Sequence, residues 1–119
     1  VISLGASIEL PWPPRALSPN GRGHWGKKHR ATRIAKDYAF WATKEAKIGF
    51  AAGDVPILIS LVFHPKDGNL PDEDNAVASM KASLDGIALA LGVNDSFFRL
   101  AKPVIGAPVK GGKVVVTIG

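Results

Sequence analysis

Residues 70–95 read Leu-Pro-Asp-Glu-Asp-Asn-Ala-Val-Ala-Ser-Met-Lys-Ala-Ser-Leu-Asp-Gly-Ile-Ala-Leu-Ala-Leu-Gly-Val-Asn-Asp. At about 100° per residue, Val77, Met80, Leu84, Ile87 and Leu91 share one stripe, which predicts a core-facing helix from about Ala76 to Leu91. Gly92 stops it. Asp74, Lys81 and Asp85 share a second stripe, roughly 110° from the apolar one, so two carboxylates and an ammonium project beside the buried seam. Asp72, Glu73 and Asp74 precede the helix and Asp95 follows it. Carboxylates this close repel one another unless solvent or a cation neutralises them.

Working outward, Ser7-Ile8-Glu9-Leu10 alternates and predicts a first strand, ended by Pro11-Trp12-Pro13-Pro14. Residues 15–28 are rich in Gly, Pro, Asn and basic groups and predict a long loop. A helix is expected from about His29 to Lys47. Its core side would carry Ile34, Tyr38, Trp41 and Ala42, with Arg33, Lys36, Phe40 and Lys44 pointing away. Val55 to His64 is a near-continuous apolar run and predicts a central strand. Phe97 to Val109, interrupted at Pro103 and Pro108, and Lys113 to Ile118 predict a hairpin about Lys110-Gly111-Gly112. The pattern β-α-β-α-β-β predicts a single α+β domain over residues 1–119, with a small mixed, mostly antiparallel sheet and two helices.

Composition narrows the chemistry. There is no cysteine, which excludes disulfides and thiolate zinc sites. The longest apolar run is of strand length, too short for a membrane span. A soluble, cytoplasmic protein is expected. Residues 1–50 carry nine Lys/Arg against three acids, and residues 51–119 six against seven, so the formal charge of +5 lies in the first half. A basic half beside an acidic cluster suits a phosphate-binding surface around a metal site, although a solvated basic face reads the same way. Trp25 among Lys27, Lys28, Arg30 and Arg33 suits phosphates and unstacked bases; equally, Trp25 could close the core under the loop.

Asp72, Asp74 and Asp95 are hard oxygen donors of the kind Mg²⁺ takes together with waters and phosphate oxygens. Lys81 suits charge stabilisation at a phosphate or proton donation to its leaving oxygen, and Asn75 could orient a ligand. Each residue also has a plainer reading. Asp72 or Asp74 can cap the helix, Asp95 can be a loop acid, and Lys81–Asp85 can be an ordinary pair one turn apart. A calcium loop is excluded, because Ala76, Val77 and Ser83 stand where that pattern needs oxygen ligands or glycine.

The chain resembles the RusA family of Holliday junction resolvases, small endonucleases of bacteria and their phages. The resemblance is carried by Leu10-Pro11-Trp12-Pro13-Pro14 after the first strand, the basic loop from Ser18 to Lys28, Asp72-x-Asp74-Asn75, Lys81-x-x-x-Asp85, Gly92, Asn94-Asp95 and the closing Gly111-Gly112-Lys113. It implies a homodimer that cuts four-way DNA junctions symmetrically with Mg²⁺ or Mn²⁺, in a bacterial or phage-infected cell, with no organic cofactor and no membrane partner. It implies metal binding by Asp72, Asp74 and Asp95, a catalytic Lys81, and Asn75 and Asp85 in support. Arg22, His24, Lys27, Lys28, Arg30 and Arg33 would contact DNA. The chain departs from the family at Pro71, where a basic residue is usual, and at Asn94, where an acid is usual. It departs also in the spacing from Asn75 to Lys81, longer by about one helical turn. Two alternatives stand beside this reading: a branched-DNA-binding module without catalysis, and a nuclease for flaps or other branches.

Overall fold

Alternation in the central strand sets the architecture: in Ile57–His64 every odd-numbered residue is buried and every even-numbered one is partly or largely exposed. One sheet face is therefore covered and the other open. The computed structural model describes residues 6–18, 25–48, 56–69 and 72–119. Its elements are β1 (Ala6–Pro11), α1 (Trp25–Glu45), β2 (Ile57–His64), α2 (Glu73–Ala78), α3 (Lys81–Leu91), β3 (Phe98–Leu100), β4 (Val104–Ile105) and β5 (Lys113–Ile118). Short 3₁₀ turns cover Arg15–Leu17 and Asp95–Phe97.

The sheet order is β1-β5-β2-β3, with β4 also on β2. β5 runs antiparallel to both β1 and β2, whereas β3 and β4 run parallel to β2. Parallel neighbours require a crossover, and α2–α3 supplies it between β2 and β3. β1 and β2 flank β5 and so point the same way, joined through α1. Right-handed connections in one direction along a sheet put both crossovers on one face. The core lies there: Ile8, Leu10, Ile57, Ile59, Leu61, Phe63, Val114, Val116 and Ile118 from the sheet, with Ala39, Leu84 and Ile87 from the helices and Met80 from the turn between α2 and α3. The α+β class and mixed sheet agree with expectation.

Several boundaries do not. α1 starts at Trp25, four residues before the expected His29, so Trp25–Lys28 are helical rather than loop. The expected single helix from Ala76 is two, and the first begins at Glu73. The expected C-terminal hairpin does not form. β4 and β5 lie on opposite sides of β2, and the chain passes round the end of β2 between them. Pro103 and Pro108 have no N–H to give a ladder with β5. β2 meanwhile needs partners on both edges, and Gly106 and Val109 donate to the carbonyls of Phe63 and Pro65.

The larger correction concerns α1. Ile34, Tyr38 and Trp41 face solvent, 57%, 52% and 67% exposed, while Ala39 and Thr43 are buried. Small residues face α3 because the two helices cross almost in backbone contact. A Cβ placed on Gly86 would lie 2.2 Å from the Lys36 carbonyl oxygen. The bulky stripe has no room on that side and is turned outward.

Candidate active site

Asp72 ends the approach to α2 in extended geometry, and its Oδ1 accepts the Asn75 N–H at 3.1 Å. That is an N-cap, the plainer of its two readings. Glu73 and Asp74 fill the first turn, where the helix N-terminus favours negative charge. The helix then breaks. The Asn75 carbonyl accepts both the Ser79 N–H at 3.0 Å and the Ser79 hydroxyl at 2.8 Å, and Met80 N–H bonds three residues back to Val77. A hydroxyl bonding back to its own turn tightens the backbone, and α3 restarts at Lys81. The stripe of Asp74, Lys81 and Asp85 is split by this break. Lys81 and Asp85 stay together, and no ion pair joins Asp74 to Lys81 among the described residues.

Lys81 Nζ lies 3.5 Å from Asp85 Oδ1, one turn along α3, and 3.5 Å from Asp95 Oδ2. Gly92 makes the second contact possible. Its φ of +73° reverses the chain at the end of α3, and Asn94 Oδ1 accepts the Ser96 N–H to fix the 3₁₀ turn that begins at Asp95. The Asp85 carboxylate first, and Asp95 after it, hold the Lys81 ammonium above the usual lysine range. The Lys81 side chain is 75% exposed, so the ammonium is neutralised from one side and open on the other. These three side chains line a hollow of about 300 Å³ walled by Val77, Ala78 and Leu84. Asp74 and Glu73 line a neighbouring hollow that shares Val77 and Ala78. Asp72 and Asn75 face another cleft, with Arg15, Lys66 and Asp67.

The aspartates thus divide. Among the described residues no three of His, Asp and Glu form a group that could hold a metal ion. Asp72 is engaged as a cap and Asp95 by an ammonium. A preformed three-carboxylate chelate does not fit this arrangement.

Lys27, Lys28, Arg30 and Arg33 are exposed on α1. Lys27 and Arg30 border a groove with Trp12, Pro13, Pro14 and Arg15. Arg22 and His24 lie outside the described residues. Trp25 is 74% exposed with its ring edge-on to His29, so it does not close the core. Arg15 is absent from the sequence-derived candidates, although it borders both this groove and the Asp72 cleft. Its only signal in the sequence is a lone cation directly after the proline turn. His64 is structural, with Nδ1 2.8 Å from the Ala107 carbonyl oxygen and its ring over Gly106.

No helix among the described residues is long and apolar enough to cross a membrane. No family model matches the sequence. An uncharacterized protein of Xylella fastidiosa (strain Temecula1 / ATCC 700964) is 38% identical over 117 residues, covering 94% of this chain and 74% of that protein. On that likeness the chain belongs to the same family as the Xylella fastidiosa protein.

Proposed function

We propose that this protein is a cytoplasmic endonuclease of the RusA type, working on branched DNA as a two-fold dimer and dependent on Mg²⁺ or Mn²⁺. The observation that carries the reading is the Lys81 ammonium gathered between Asp85 and Asp95 at the rim of an open hollow. A structural ion pair gains little from holding a lysine so exposed. A phosphodiester gains much from a fixed cation as charge builds on its oxygens. Asp85 and Asp95 orient Lys81, and Glu73 and Asp74 line the next hollow, which shares its walls. Lys27, Lys28 and Arg33 supply phosphate contacts that hold the strands and make binding salt-dependent. Two opposed cuts need two sites related by a two-fold axis, hence the dimer.

The second reading, branched-DNA binding without cleavage, is favoured by the separation of Asp72 from Asp95. One experiment separates them. Labelled four-way, flap and linear DNA are incubated with the protein in Mg²⁺, in Mn²⁺ and in chelator. Symmetric paired nicks in the four-way junction, lost in chelator, support the resolvase. Flap cutting alone reassigns the substrate. Retarded but uncut junction in every metal supports the binding module.

A further inference from the structure

One outward side of α1 is a wall of a groove. Lys27, Arg30, Ile34 and Tyr38 fall within about 80° of arc there, and Ile34 and Tyr38 are more than half exposed. The facing wall is Pro11-Trp12-Pro13-Pro14, whose three prolines have φ fixed by ring closure and no N–H to satisfy. Trp12 is anchored: its ring meets the buried Phe63 edge-on at 6.0 Å, and a Cβ on Gly112 would lie 3.2 Å from the Trp12 Cβ. The groove is therefore preformed. Its volume is about 610 Å³, in the range of sites for one small ligand. Among the described residues its lining includes three cations, Arg15, Lys27 and Arg30, and no carboxylate. Tyr38 and the buried Ser83 of α3 contribute hydroxyls.

We propose that this groove captures one unpaired nucleotide, with its base between the proline–tryptophan wall and Ile34 and Tyr38, and its phosphates on Arg15, Lys27 and Arg30. Flat apolar walls with two aromatic rings suit a flat ring, and the cationic rim suits the charge on either side of it. A duplex cannot enter a hollow of this size, so the base must leave its stack, and the walls return the stacking that it loses. Lys28 and Arg33 are also exposed on α1 and carry the positive charge past the groove, which a polyanion uses and a single anionic headgroup does not. Trp12, Pro13, Pro14 and Arg15 also line the cleft that holds Asp72 and Asn75. A strand anchored by one base in the groove therefore passes over Arg15 toward Asp72. The inference rests on the proposed function for its purpose, which is to hold a strand unpaired at a branch point.

Fluorescence anisotropy in chelator, where nothing is cut, tests capture by itself. Three labelled duplexes differ at one position only: fully paired, carrying a single-nucleotide bulge, or carrying the same bulge without its base. The bulge with a base should bind about tenfold tighter than the other two. Tyr38→Ala and Ile34→Ala should each reduce that advantage and together abolish it, with far-ultraviolet circular dichroism unchanged because both residues are exposed. Lys28→Ala, outside the groove, should weaken all three duplexes alike. Equal affinity for the three duplexes overturns the inference, and so does a preference that survives the double variant. Tyr38-dependent binding to phosphatidylglycerol vesicles, with no preference for the bulged base, also overturns it and assigns the groove to an acyl chain. Junction cleavage in Mg²⁺ is scored on the same preparations. Base capture by a chain that cuts nothing sinks the nuclease reading alone; cleavage by a chain blind to the unpaired base sinks the capture alone.

Discussion

Gly86→Ala probes the helix contact on which both the site and the outward stripe of α1 depend. The added Cβ would lie 2.2 Å from the Lys36 carbonyl oxygen, 3.1 Å from its carbonyl carbon and 3.2 Å from the Phe40 nitrogen. All three are backbone atoms, so no rotamer change relieves the overlap, and α1 and α3 must separate by about 1 Å to restore ordinary contact. Overpacking of this kind costs about 1–3 kcal/mol, and a rigid obstacle puts it at the upper end. Alanine returns about 0.5–1 kcal/mol through helix propensity. The net loss is about 2 kcal/mol. At roughly 4 °C per kcal/mol for a chain of this size, the melting temperature falls by about 8 °C. Urea unfolding should show a lower midpoint with unchanged slope. A neutral or stabilised variant would mean that the helices do not cross at this distance, and the account of the outward-facing stripe would fail with it.

Asp72→Ala should cost about 1 kcal/mol by removing the cap on α2, while Asp72→Asn should keep that stability. If Asp72 also serves cleavage, the Asn variant loses activity at full stability; equal activity assigns it to the cap alone. Neutralising Lys27, Lys28 and Arg33 together should flatten the dependence of log K on log salt by about 0.9 for each duplex phosphate they had neutralised, and an unchanged slope clears them. Glu9 accepts from Lys113 Nζ at 2.8 Å, and that bond, with the charge of Lys113, lowers its pKa from the ordinary 4.5. A lowered carboxylate pKa stabilises the fold above its unfolded value, and the contribution disappears as pH falls through the folded one. Glu9→Gln should therefore be less stable than the parent at neutral pH, and the gap should close as pH falls through the lowered pKa of Glu9. A gap that persists in acid would contradict this.

Periodicity locates the elements, and their order along the chain gives the class. Val77, Met80, Leu84, Ile87 and Leu91 face inward as their spacing requires. α1 breaks the same rule because the rule asks only where bulk lies. It is blind to Gly86 on another helix, which draws Ala39 and Thr43 inward and leaves Ile34 and Trp41 outside. The expected hairpin fails for a related reason: turn residues at 110–112 announce a reversal but not which strand receives it. Of the candidate site, Lys81–Asp85 follows from helix geometry, and Lys81–Asp95 from the glycine stop that folds the chain back. Asp74 is parted from that pair because Ser79 bonds its own turn, a competition no spacing encodes.

The most direct measurement is single-turnover cleavage of a labelled four-way junction in Mg²⁺ by the parent protein and by Lys81→Ala, with the protein in excess. If Lys81 is the group that stabilises charge at the phosphate, the rate falls about 10²–10³-fold while junction affinity stays within about threefold. Equal cleavage rates would contradict the account, because the ammonium held by Asp85 and Asp95 would then have no part in the chemistry.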